Sequence, residues 1–218
     1  MKLKSFRRMS VMLAVVACLL LALAGTTGIS SAAGSVIYVD ASATGDNNGT
    51  SWEHAFTDLQ DALSETERDM EIWVAEGIYK PTTGTDRTAT FQLKSGVALY
   101  GGFAGTETSV QQRNWESNIT ILSGDIGVLV DNSDNSYHVV TSSGTDTTAI
   151  LDGFTISGGN ADGSYPHNAG GGMRNDDGSP MLRNVTFRDN SAAMYGGGML
   201  NASKQPDAGQ RDLQRQLG

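Results

Sequence analysis

The sequence predicts an all-β solenoid, and three observations lead there. Gly170-Gly171-Gly172-Met173-Arg174-Asn175 recurs as Gly196-Gly197-Gly198-Met199-Leu200-Asn201, 26 residues later. Similarity at a fixed period of this size marks stacked coils, each burying against its neighbour what it cannot bury alone. Between the two copies the apolar residues alternate (Leu182, Val185, Phe187), as in strands with one face inward. A looser copy precedes them: Leu151-Asp152-Gly153-Phe154-Thr155-Ile156 aligns on Leu182 to Phe187 at an offset of 31, and the five extra residues fall in the Gly/Pro/Asn-rich stretch Asp162 to His167. That stretch reads as a loop bulging from a corner. The glycines and Asn190 suit corners, where φ > 0 or a close backbone approach is needed.

Residues 1–33 are set aside first, as a secretory signal peptide. Lys2, Lys4, Arg7 and Arg8 form a positive start, Met9 to Ala24 is almost wholly apolar, and Ser30-Ser31-Ala32-Ala33 offers small residues for cleavage. The apolar run is short for a retained membrane span. Two other signals compete. Val15-Val16-Ala17-Cys18 resembles a lipoprotein attachment site, but the apolar run continues past Cys18 to Ala24. Arg7-Arg8 resembles a twin-arginine signal, with Ser10 where an aromatic is usual. Removing the segment takes the net charge from −9 to −13 and leaves no cysteine, so disulfides are excluded. An acidic surface argues against nucleic acid and anionic polysaccharide as ligands and permits cations. The 27 glycines favour many corners over long helices.

Residues 34–70 read as a cap. Ser35 to Val39 is a strand and Asp40 to Ser51 a polar loop. Trp52, Ala55, Phe56, Leu59, Ala62 and Leu63 have the spacing of a short amphipathic helix, with Thr57 or Ser51 as its cap. Strand, Asn/Asp/Gly loop and helix together resemble the N-terminal cap of a right-handed parallel β-helix, the pectin-lyase-like fold. An uncovered first coil would expose apolar interior and unpaired backbone, and Trp52, Phe56 and Leu59 are the expected plug. A separate small α/β unit is the alternative.

Coils then occupy 71–203. Expected strands are Glu71 to Ala75, Glu76 to Tyr79, Thr90 to Leu93, Gly96 to Tyr100 (ended by Gly101-Gly102-Phe103), Ile119 to Leu122, Tyr137 to Val140 and Ala149 to Leu151. Glu107 to Glu116 loops outward, with Trp115 folded back. About five coils fit, roughly 25 Å of stacked strands. Residues 204–218 match no repeat. Read one frame over, with permissible codons, they give Asn-Ser-Pro-Thr-Leu-Asp-Asn-Val-Thr-Phe-Ser-Gly-Asn-Ser, and nine of these fourteen match Gly178 to Ser191 in order. The expectation is a frameshifted further repeat in a truncated piece of a longer protein, monomeric with an open C-terminal edge. A disordered tail is the plain alternative.

The Gly-Gly-Gly-Met corners at 170–173 and 196–199, with Phe187-Arg188-Asp189-Asn190, resemble the repeat of the polymorphic outer-membrane proteins, which pairs a Gly-Gly-Ala-Ile-like corner with a Phe-x-x-Asn corner. Met173 and Met199 depart from the aliphatic residue of that pattern. The resemblance implies a secreted or cell-surface, non-enzymatic, adhesin- or passenger-like protein of the bacterial outer membrane, whose partner is an unidentified extracellular molecule or glycan.

No catalytic, cofactor-binding or metal residues stand out as a set. The alternative function is a fragment of a carbohydrate-active enzyme, a polysaccharide lyase or glycoside hydrolase. Asp176-Asp177 resembles the paired aspartates of galacturonan hydrolases, where close carboxylates share acid and base work. The companion motifs are missing and the surroundings are those of a corner. A lyase would need carboxylates holding Ca²⁺ beside a base; Asp125, Asp131, Asp134 and Asp152 are the oxygen donors, Arg174 or Arg183 the base. Asp125 to Asn135 has the oxygens for a structural cation such as Ca²⁺ but lacks the twelve-residue Ca²⁺ loop pattern, and a solvated loop is the alternative. His54, His138 and His167 have no ligand spacing. Asn160, Asn175, Asn190 and Asn201 suit side-chain ladders between coils. The enzyme reading requires carboxylates, alone or with Arg or Lys, converging in one groove; a Ser/Thr/Asn face favours binding.

Overall fold

A computed structural model describes residues 35–203. Residues 1–33, expected to be a signal peptide, and the tail 204–218 lie outside the described residues. In chain order the strands are β1 (Val36–Val39), β2 (Met70–Ala75), β3 (Gly77–Tyr79), β4 (Phe91–Gln92), β5 (Val97–Phe103), β6 (Thr120–Ser123), β7 (Val140–Ser143), β8 (Ile150–Asp152), β9 (Phe154–Ser157), β10 (Asn160–Ala161), β11 (Met173–Asp176), β12 (Met181–Arg183), β13 (Thr186–Arg188), β14 (Ser191–Ala192) and β15 (Met199–Ala202). One α-helix, α1 (Leu59–Glu65), lies between β1 and β2.

The strands form three larger sheets, β1-β2-β5-β8-β12, β3-β6-β9-β13 and β4-β7-β11-β15, and the small pair β10-β14. Every pairing is parallel. From β5 onward the chain visits the first, second and third sheets in the same rotation: β5, β6, β7, then β8, β9, β11, then β12, β13, β15. Parallel neighbours cannot be joined by tight hairpins, and here the connection between them is the passage through the other two sheets. None of the sheets closes on itself. Among the described residues no helix is long and apolar enough to cross a membrane.

The repeats seen in the sequence are the register of these sheets. Met173 pairs with Met199 and Leu151 with Leu182. Inward side chains therefore fall in columns: Ile37, Ile72, Leu99, Leu151 and Leu182 in the first sheet, Tyr79, Leu122, Ile156 and Phe187 in the second, Phe91, Val140, Met173 and Met199 in the third. The three columns belong to one apolar cluster. Each side chain fully removed from water in such a column contributes about 1.5–3 kcal/mol.

The cap differs from its expectation in one respect. The helix begins at Leu59, and its cap is Asp58, whose carboxylate accepts from the Gln60 N–H at 2.8 Å. Phe56 is not helical. Its N–H donates to the Tyr38 carbonyl and its carbonyl accepts from the Asp40 N–H, so it extends the sheet beside Val39. Ser51 accepts from His54 and Thr57 binds the Asn47 side chain. The apparent helical spacing from Trp52 to Phe56 thus spans a turn and a bridge. Leu59, Ala62 and Leu63 are buried, and α1 packs on β1, β2 and β4. The Trp52 ring meets Tyr38 and Phe103, and its indole N–H donates to the Glu107 carbonyl.

Smaller shifts have local causes. β5 runs through Gly101 and Gly102 to Phe103, because a Cβ at Gly101 would stand 2.6 Å from the Gly153 carbonyl and only glycine lets the strands meet there. β7 begins at Val140 rather than Tyr137. Trp115 turns its backbone onto Gly102 but leaves its ring partly exposed under Arg113. Gly170 and Gly196 take positive φ as their repeat position predicts, whereas at the Phe-x-x-Asn corner the residue with positive φ is Asp189, not Asn190. The Asn190 side chain instead accepts from the Gly159 N–H and donates to the Ile156 carbonyl.

Candidate functional site

Outward side chains, not the columns, are available for chemistry. On β11 alternation turns Met173 and Asn175 inward and sets Arg174 and Asp176 side by side on the outer face. Arg174 lies flat against Asp176, donating from Nε to Oδ2 at 2.7 Å and from Nη2 to Oδ1 at 2.9 Å. Its third nitrogen, Nη1, donates to the Pro166 carbonyl at 2.7 Å. The inserted loop at Asp162 to His167 is thereby tied across the strand, with Tyr165 above the guanidinium, 5.7 Å from Cζ to ring centroid. The next corner brings up Tyr195, whose backbone bridges to Ala169. Between the loop and that corner is a groove of about 520 Å³, lined by Tyr165, Asn168, Arg174, Asp176, Asp177 and Tyr195 among others. Tyr165 is 80% exposed and Tyr195 65%.

The loop has a second anchor. Arg87 pairs with Asp162 at 2.6 Å and lies 4.2 Å over the Tyr137 ring, and Tyr137 stacks on His167 at 4.7 Å. His167 Nδ1 is 3.2 Å from His138 Nε2, and His138 Nδ1 is 2.9 Å from the Gly170 carbonyl. A carbonyl only accepts, so the His138 proton sits on Nδ1 and His167 donates to the bare Nε2. His138 is buried, and burial, with the His167 and Arg174 charges, lowers its pKa below 6.5 against the raising effect of the Gly170 hydrogen bond and Asp176. Two histidines with no ligand spacing in the sequence are therefore neighbours in a hydrogen-bonded chain.

The other candidates are dispersed. Arg183 stands on the first sheet near Tyr100, away from Arg174 on the third. Asp152 is buried with Arg113 (Oδ2 to Nη2, 2.8 Å) and accepts from the Asn184 amide. Around the Asp125 to Asn135 loop the carboxylates turn onto their own backbone: Asp125 accepts from Val130, Asp134 from Val128 and Asp131 from Ser133. Asp134 Oδ1, Asn135 Oδ1 and Ser136 Oγ are buried there without a hydrogen-bond partner. Among the described residues no three His, Cys, Asp or Glu side chains are grouped so as to hold a metal ion. Asp177 turns the chain at φ 56°, as its corner composition predicts.

One asparagine pair forms a ladder between neighbouring strands, Asn175 Nδ2 to Asn201 Oδ1 at 2.7 Å. Asn160 is met by Ser191, its register partner, rather than by another asparagine. Sequence reading did not single out Tyr165 or Tyr195. Their signal was there: an aromatic inside Ser164-Tyr165-Pro166 or Met194-Tyr195-Gly196 sits in turn composition, where no core exists to take it.

Compared with protein-family models, with curated proteins and with solved structures, the chain matches none.

Proposed function

We propose that this chain is an exported, non-enzymatic repeat protein of the cell surface or extracellular space, adhesin- or passenger-like, whose outer face contacts a partner. In this reading it is a right-handed parallel β-helix, with a cap over 34–70 and coils over 71–203, of the kind the pectin-lyase-like and polymorphic outer-membrane-protein resemblances imply. The observation that carries it is the register. Parallel pairing at the repeat offset stacks Leu151 on Leu182 and Met173 on Met199, and the rotation through three sheets supplies one coil per round. Residues 1–33 direct export, and no cofactor is called for.

The enzyme reading keeps one specific support. Arg174, Asp176 and Asp177 converge in one groove, which is the composition it requires. The bonding counts against it. Nε, Nη1 and Nη2 of Arg174 all donate to protein acceptors, so none is presented to a substrate as a base. Expression of the full chain in a Gram-negative bacterium, with fractionation and intact-mass measurement, tests the main reading. The expected product is outside the cytoplasm and lacks about the first 33 residues. Full-length chain retained in the cytoplasm would refute it, and lipid attached to Cys18 would replace plain secretion by a lipoprotein anchor.

A further inference from the structure

We infer that the late edge formed by β12 and β13 is a docking surface for an extended segment of another polypeptide, one that alternates apolar residues and carries a carboxylate opposite Arg183. β12 and β13 each end a sheet and have a neighbour on one side alone among the described residues. The Met181 N–H donates to the Ala149 carbonyl and the Arg183 carbonyl accepts from the Gly153 N–H, so both residues bond back to the preceding strand. In a parallel ladder alternate residues serve opposite neighbours, which turns the N–H and C=O of Leu182 to the open side. Unpaired strand edges are templates for an added strand. The inward side chains beside them, Leu182 and Phe187, are only partly buried, so a docked strand gains apolar contact as well as ladder bonds.

Charge narrows the partner. Arg183 and Arg188 are exposed on this edge, and among the described residues neither guanidinium is in an ion pair or a hydrogen bond. They are two free positive charges on a chain of net charge −9. The preceding strands show what matches them in register. Leu151 and Asp152 pair with Leu182 and Arg183, and Ile156 and Ser157 pair with Phe187 and Arg188. Asp152 itself is held by Arg113 at 2.8 Å, which leaves Arg183 for a carboxylate from the open side. A segment with the spacing of residues 150–157 therefore fits the open side of β12 and β13 as those residues fit the closed side. An opposite charge directly across a strand pair strengthens it, and a like charge weakens it.

The test is fluorescence anisotropy of a dye-labelled peptide with the sequence of residues 148–161, titrated with the purified full chain. The peptide is expected to bind and its scrambled version is not. Leu151→Asp together with Ile156→Asp, made in the peptide, should abolish binding. Arg183→Glu in the chain should weaken it about fivefold, and Asp152→Lys in the peptide should restore affinity for that variant while losing it for the parent. Arg183 is exposed, so the variant keeps the parent's thermal midpoint. Ile78→Asp, on β3 at the other end of the second sheet, should change nothing. The inference is overturned if the peptide does not bind the folded chain, if the scrambled peptide binds as tightly, if the charge swap gives no rescue, or if the chain sediments as a dimer that excludes the peptide. The surface depends on parallel register and not on export, so its failure leaves the cell-surface reading standing, and a chain that is never exported leaves this surface intact.

Discussion

The early strands are irregular in sequence and deeply buried, while the late strands are regular in sequence and half open. β1, β2 and β5 are separated by a helix, loops and long insertions, yet Ile72 and Leu99 are sealed in their column. β12, β13 and β15 carry the clear repeat, yet Leu182, Phe187 and Met199 are only partly buried. Their register partners one strand earlier, Leu151, Ile156 and Met173, have no exposed surface. Repetition sets the register; burial comes from cover on both sides, which a strand gives in the middle rows and α1 gives to β1 and β4 at the early edge. Among the described residues Leu151 is flanked by Leu99 and Leu182, whereas Leu182 is flanked by Leu151 alone.

Replacing the two leucines separately is the most severe test of that contrast. Leu151→Ala should cost about 2–5 kcal/mol in urea unfolding, and Leu182→Ala about half as much, because less of it is removed from water. Equal losses would mean that the late rows are as well packed as the middle ones. Corners supply a second contrast. The late ones put Asp177, Asn184 and Asp189 at positive φ, residues that tolerate it, whereas the earlier connection puts Val130 there, at φ 68° and 89% exposed. A β-branched residue is strained in that region, so Val130→Gly should raise stability by about 1 kcal/mol. Destabilisation instead would show that the side chain makes a contact worth more than the strain.

The join between middle and late rows should respond to acid. Burial holds His138 neutral, with its pKa below 6.5, so the stability it contributes is complete above pH 6.5. It is lost as pH falls from there toward the folded value, since only the unfolded chain takes up the proton. His138→Gln should flatten that part of a pH–stability curve; an unchanged curve would remove His138 from the account. Asp86, Asp131 and Asp146 act in a separate window. Thr88, Ser133 and Thr148 donate to them and lower their pKa below 3.8, so their contribution is present above 3.8 and lost below it. The smallest expected effect is from chelation. EDTA should leave the thermal midpoint unchanged, since the loop carboxylates of Asp125, Asp131 and Asp134 already bind backbone N–H groups. A rise on adding Ca²⁺ would assign the unpartnered oxygens of Asp134 and Asn135 as its ligands.

Several corners were legible but overlooked. Asp40-x-Ser42, Asn48-x-Thr50, Asp86-x-Thr88, Asp131-x-Ser133 and Asp146-x-Thr148 share one device, in which the first side chain accepts from the backbone N–H and hydroxyl two residues on. The bond is local, so the pattern can be read without a fold. The helix start was misplaced for the converse reason. Phe56 has helical spacing from Trp52 and Leu59, but its backbone is claimed by Tyr38 and Asp40, a partnership across a loop that periodicity does not report.

The amino-acid sequence alone determined the strand-rich class, the offsets that became the register, and the residues at which inward columns would form. All of these depend on side-chain alternation and on similarity between neighbouring repeats, which are local quantities. Tertiary structure alone decided that Arg174 forks onto Asp176 and ties down Pro166, that His138 meets His167, and that Arg87 reaches Asp162 across 75 residues. It also decided that Tyr165 and Tyr195 line one groove. Those meetings depend on where an inserted loop folds back over a sheet, and that is set by how distant strands pair, not by any spacing along the chain.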